Sequence, residues 1–166
     1  MTRARRILNE LFQQRYNFTK IPRSQHPRGI LAIYGKAIHT YRFKTENEPM
    51  EVTLTHYSHP EGGWHPDEHG PTVGIEFGDV NNRSYDITGA HPHDVQRVLS
   101  TVHAIIRHHL AKNPDAKEIT FSAAEPSRQR LYQHLINRFA NKFHKERELG
   151  LESMTYTIQK SDLKDL

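Results

Sequence analysis

Four histidines, His56, His59, His65 and His69, fall within fourteen consecutive positions together with Glu61, Asp67 and Glu68, in a chain that has 13 histidines and no cysteine. Imidazole nitrogens and carboxylate oxygens are ordinary ligands for zinc, nickel or iron. Ligands must converge on one point, however, and a stretch punctuated by Pro60, Gly62, Gly63, Pro66 and Gly70 fixes no such geometry by itself. Its spacing also fits no metallohydrolase signature, so a bound metal is not the expectation and a solvated loop is. His56 and Ser58 form a His-x-Ser of the kind that shuttles protons at a phosphodiester, chemistry that needs a second copy on a neighbouring strand. The nearest histidine-bearing segment, residues 38–41, has the wrong spacing. His91 and His93 flank a helix start, where they can face an anion. His108 and His109 stand near that helix's end, where imidazolium suits the dipole, and they read as a solvated cap. The absence of cysteine excludes thiol nucleophiles, thiolate metal sites and disulfides.

The 166 residues suit one domain, which at that size buries roughly 70% of its unfolded surface. Composition is polar, 35% hydrophobic and 25% charged with mean hydropathy -0.80, yet the apolar residues recur periodically, which argues against disorder. The first residues are Arg-rich, but no apolar run follows that could serve as a signal sequence or membrane span. A cytoplasmic protein without membrane contact is expected. A net charge of +4 permits contact with nucleic acid or another anion.

The elements that position these residues follow from hydrophobic period. Thr2 can cap an N-terminal helix carrying Ile7, Leu8, Leu11 and Phe12 on one face. Residues 17–29 read as an irregular basic connector. Segments 30–43, 52–57, 73–77 and 84–88, rich in Val, Ile, Thr, Tyr and Phe, predict an antiparallel meander, with Gly35 marking a bulge and residues 78–82 a turn. The period then changes to 3.6: Val95, Val98, Leu99, Val102, Ile105, Ile106 and Leu110 predict a helix over 92–112, opened by Pro92 and stopped at Pro114. A strand over 119–123, a helix from Pro126 and a strand over 154–159 complete the order. The reading is a single α+β domain over residues 1–166: a mixed sheet built from an antiparallel meander followed by helix, strand, helix and strand.

That order resembles the C-terminal two thirds of the GNAT (Gcn5-related N-acetyltransferase) fold. The run from Ile119 to Tyr132 is similar to the family's strand and Asn-x-x-Ala-x-x-Leu-Tyr helix start, with Arg128, Leu131 and Tyr132 in matching places. Thr88-Gly89, residues 98–102 and residues 121–132 also resemble small uncharacterised GNAT-like proteins of tailed bacteriophages. The likeness covers about residues 72–160. It implies that acyl-CoA pyrophosphate would be held where one strand splays from its neighbour and runs into the long helix, since exposed N–H groups at a helix start suit an anion. Gly89, Ala90, His91, His93 and Arg128 are then the cofactor-binding candidates. The family's Arg/Gln-x-x-Gly-x-Gly/Ala pattern is absent, Pro92 removes a donor and Asp94 adds negative charge, all of which count against acetyl-CoA or another acyl-CoA as ligand. Tyr132 falls where the family places a general acid for the departing thiolate, although a tyrosine on an apolar helix face also reads as core packing. Glu76 is by position a candidate base, or simply an exposed strand carboxylate. Arg128 is either an anion contact or a solvated, ion-paired side chain. Two functions follow: a noncatalytic or degenerate GNAT-like accessory protein that recognises a host protein or nucleic acid, or an acyl-CoA-dependent N-acyltransferase.

Overall fold

The computed structural model describes residues 15–22, 35–58, 65–80, 92–147 and 152–164. Within them, alternation of apolar and hydroxyl side chains builds one sheet. Strands β1 (Phe18–Lys20), β2 (Ile38–Lys44), β3 (Pro49–Ser58) and β5 (Thr72–Asp79) run antiparallel in sequence, with the short β4 (His65–Pro66) paired to the end of β3. Helix α1 (Pro92–Lys112) then carries the chain across to β6 (Glu118–Ala123), which lies parallel to β5. A parallel neighbour needs such a crossover. Helix α2 (Pro126–Phe139) leads to the edge strand β7 (His144–Arg147) and to β8 (Met154–Gln159), giving the order β1-β2-β3-β5-β6-β8-β7 with β4 off β3.

Register places one apolar face along the whole sheet. Tyr41 stands opposite Val52, Val52 opposite Phe77, Leu54 opposite Ile75, Val73 beside Ile119, Ile119 opposite Ile158 and Phe121 opposite Tyr156. All are buried, in one core with Val98, Leu99, Val102, Ile105 and Ile106 of α1 and Leu131, Tyr132, Leu135 and Ile136 of α2. Each fully buried Leu, Ile or Phe contributes about 1.5–3 kcal/mol of transfer free energy. The middle of α1 is buried from Ser100 to Ile106, with Tyr16 packed on it at one side: the Tyr16 N–H donates to Thr101 Oγ1 at 2.9 Å and the Arg97 guanidinium lies 3.9 Å over the Tyr16 ring. At the base of α2, where Glu125 provides no side-chain cap, the Gln129 amide donates to the carbonyls of Ala123, Ala124 and Glu152, tying the helix start to the strands beside it.

Several expectations are met and several corrected. The helix over 92–112 and the strand over 154–159 have the ends that their periodicity predicts. Gly35 marks no bulge; residues 35–37 form the turn that enters β2. The basic connector is not irregular throughout, since Phe18 to Lys20 pair with Phe43 to Tyr41. Gly78 and Asp79 extend β5 to meet Glu51 and Met50 instead of forming a turn. The expected N-terminal helix and the strand over 84–88 lie outside the described residues. No helix among the described residues is long and apolar enough to cross a membrane.

Candidate functional site

The parallel pairing of β5 with β6 covers only Thr72–Gly74 against Glu118–Thr120. Beyond that point β5 stays with β3 as far as Asp79 and β6 stays with β8 as far as Ala123, so the two central strands part company. Gly74 sits at the parting: a Cβ there would lie 2.7 Å from the Tyr57 ring, so the missing side chain leaves room for that ring on the strand surface. A cleft of about 360 Å³ opens on the face of the sheet away from α1 and α2. Its walls are Tyr57, Gly74 and Ile75, the hydroxyls of Thr55, Thr120, Ser122 and Thr155, and two carboxylates, Glu76 from β5 and Glu146 from β7. The Ser122 and Thr155 hydroxyls bond each other at 2.9 Å, and the His144 ring stands 4.0 Å from the Glu146 carboxylate. A cleft with two acidic groups among hydroxyl donors and acceptors suits a polar cation.

Tyr132 lies on the opposite face. Its ring meets Phe77 at 5.7 Å and Phe121 at 5.0 Å between centroids, bridging the parted strands from the helix side. It is fully buried, and its hydroxyl faces the Arg128 guanidinium. Burial pushes its pKa up to about 12, with the Arg128 guanidinium pulling weakly the other way. Glu76, by contrast, is exposed. Of the other candidates, Gly89, Ala90 and His91 lie outside the described residues, as does the side chain of His93.

The histidines divide differently from the sequence pattern. His65 and His69 are exposed; the His69 N–H donates to Asp67 Oδ1 at 2.9 Å and its ring stands 3.4 Å from Glu68 Oε1. His59 lies outside the described residues. His56 turns inward, because it shares the parity of Val52 and Leu54 on β3. There it meets His39 of β2 and His109 of α1, with ring centroids 5.5 Å (39 to 56), 4.8 Å (39 to 109) and 5.0 Å (56 to 109) apart. His56 Nε2 and His109 Nε2 are 2.7 Å apart; His56 Nδ1 faces the Gly70 carbonyl at 3.3 Å and His109 Nδ1 faces the Tyr41 hydroxyl at 3.1 Å. A Cβ on Gly70 would collide with the Tyr57 carbonyl at 2.1 Å, so only glycine brings this carbonyl so close to β3. Burial lowers the pKa of His56, and burial with the neighbouring His39 and His56 charges lowers that of His109 to about 3, so both are neutral at pH 7. His109 is therefore no solvated cap; only His108 is exposed, edge-on to Phe18 and Tyr41. The signal was present, since His109 follows Val102, Ile105 and Ile106 on the apolar stripe of α1 and His39 shares the inward parity of Tyr41 and Phe43.

The architecture defines an α+β protein with a mixed sheet, its described helices on one face and a cleft on the other. The chain belongs to DUF6934, a family of unknown function, whose profile matches residues 36–160. No curated protein matches it. Among solved structures it is similar to AAC(6')-Ib in complex with ribostamycin and coenzyme A, at 16% identity and TM-score 0.48 over 83% of this chain and 72% of that one. It is also similar to the aminoglycoside N-acetyltransferase AAC(6')-Ib11, at 14% identity and TM-score 0.47 over 84% and 75% of the two chains. A Bacillus subtilis acetyltransferase in complex with CoA gives 15% identity and TM-score 0.43 over 87% and 97%.

Proposed function

We propose that this protein is a GNAT-like binding protein that recognises an amine or guanidinium group of a partner protein in the cleft between β5 and β6, without turning it over. The observation that carries the reading is the pairing of Glu76 and Glu146 among hydroxyls in one cleft. A cationic side chain entering there gains charge-assisted hydrogen bonds, which are about twice as strong as neutral ones. Nucleic acid is not the ligand of this cleft, because two carboxylates repel phosphate.

The tyrosine supports a reading without turnover. A general acid for a thiolate must reach the sulfur and must pass its proton to it readily. Tyr132 does neither, being sealed on the far face of the sheet with its pKa pushed up to about 12. Pro92 and Asp94 at the helix start work in the same direction, one lacking a donor and the other bringing negative charge.

The alternative, an acyl-CoA-dependent N-acyltransferase, is favoured by one observation: parallel strands that separate after Gly74 and Thr120 open a cleft in which an acyl-pantetheine arm can lie, with Glu76 placed as base for an amine. Calorimetry separates the two. The binding reading expects a tetralysine peptide to bind and Glu76→Gln to weaken it about tenfold, or about 1.4 kcal/mol, while acetyl-CoA gives no heat up to millimolar concentration. Micromolar binding of acetyl-CoA, competed by CoA, establishes the alternative instead.

A further inference from the structure

We propose that His39, His56 and His109 form a binding site for one divalent ion of the zinc class, with solvent as fourth ligand. The three imidazoles come from three different elements, and their ligand atoms already lie within 4.8 Å of one another. Exposed histidines converge by chance in mobile side chains; these are held by β2, β3 and the last turns of α1, with His56 and His109 buried.

The outer nitrogens are the stronger argument. A ligating histidine almost always donates its other ring N–H to a carbonyl, carboxylate or water, which fixes its tautomer and orientation. His56 has that partner in the Gly70 carbonyl, and His109 has it in the Tyr41 oxygen. With both Nδ1 atoms protonated, both Nε2 lone pairs point into the triangle that His39 completes. Without an ion, two facing lone pairs at 2.7 Å would repel, so one proton sits between them and the Tyr41 hydroxyl becomes a donor to His109 Nδ1. Binding therefore releases no proton to solvent: the His109 proton moves from Nε2 to Nδ1, and Tyr41 changes from donor to acceptor.

The geometric adjustment is small. Tetrahedral coordination with Zn–N near 2.0–2.1 Å sets ligand nitrogens about 3.3 Å apart. The His56 to His109 contact must open by about 0.6 Å from its present 2.7 Å, and the widest pair must close from 4.8 Å. His39 is only half-buried, so the triangle lies closest to solvent on its side. Imidazole ligands suit zinc, copper, nickel and iron, and exclude calcium and magnesium, which take oxygen. The exposed Lys20 ammonium adds positive charge nearby, and the Asp67 carboxylate near His56 opposes it. The effect of a bound ion would be structural, joining the end of α1 to β2 and β3 on the face away from the cleft.

The test uses untagged full-length protein, loaded with Zn²⁺ or Co²⁺ and desalted. One equivalent of metal by mass spectrometry, visible absorption of tetrahedral Co²⁺, and a Tm rise of about 5–10 °C at a hundredfold excess over Kd are expected. His39→Ala, at a half-buried site and checked by circular dichroism, should abolish all three, while the double variant H65A/H69A retains them. Less than half an equivalent of zinc with no Tm change in the wild-type protein overturns the site. So does full loading of folded His39→Ala, or loss of loading in H65A/H69A, which would assign the metal to the exposed loop.

Discussion

The Nε2 atoms of His56 and His109 face each other at 2.7 Å, so in the metal-free protein one of these neutral rings donates and the other accepts. The flanking partners decide which: the Gly70 carbonyl can only accept, so His56 carries its proton on Nδ1, and His109 donates from Nε2 across the 2.7 Å contact while Tyr41 donates to its Nδ1, the Asn113 amide at 3.4 Å being the longer contact of that Nε2. Nitrogen chemical shifts of the two rings at pH 7 should show one Nδ1–H and one Nε2–H tautomer. Two identical tautomers, or a charged ring, contradict this chain of bonds.

Tyr132→Phe removes a buried hydroxyl that faces the Arg128 guanidinium. A hydrogen bond of that kind contributes about 1 kcal/mol net, so the variant should be less stable than the parent by about that amount. Denaturant unfolding checks this, and a variant as stable as the parent or more stable would show that the hydroxyl makes no bond that matters.

The same residue sets a high-pH limit. Its folded pKa, about 12, lies above the ordinary value of 10.0, so the unfolded chain loses the proton first. The contribution is fully present below pH 10 and declines as pH climbs from 10 to 12, by up to about 1.4 kcal/mol per pH unit. Thermal melts of wild type and Tyr132→Phe across that window should diverge, with the wild type falling faster. Parallel curves would mean that the ring ionises freely in the folded protein.

Gly70→Ala drives a methyl group into the backbone of β3 at the Tyr57 carbonyl, which cannot move aside, whereas Gly74→Ala meets the edge of a ring, which can. The first should cost on the order of 3 kcal/mol and the second about 1 kcal/mol. Chemical denaturation gives both values, and a Gly70→Ala variant as stable as Gly74→Ala would contradict the close approach.

Much of this fold is written as hydrophobic period. Val95 to Leu110 specify α1, and Met154, Tyr156 and Ile158 specify β8, because each buries one face. The edge strand over His144 to Arg147 gives no such sign, since all four side chains are exposed and charged or polar; it exists only by pairing with β8. The short β1 is equally silent. The cleft is illegible for a related reason: its hydroxyls are the solvent side of three strands, and only register brings Glu76 and Glu146 to one place. Histidine count drew attention to residues 56–69, but parity, not density, decides which rings meet. His56, His39 and His109 all occupy core positions of their elements, a pattern readable strand by strand and helix by helix, while their convergence needed the sheet order.

The most direct measurement of cleft recognition is an amide NMR titration of the labelled protein with tetralysine. Shifts confined to Thr55, Gly74, Glu76, Thr120, Ser122, Glu146 and Thr155, and absent in the double variant E76Q/E146Q, are the predicted result. No perturbation at those amides, or perturbation that survives the double substitution, would contradict the account.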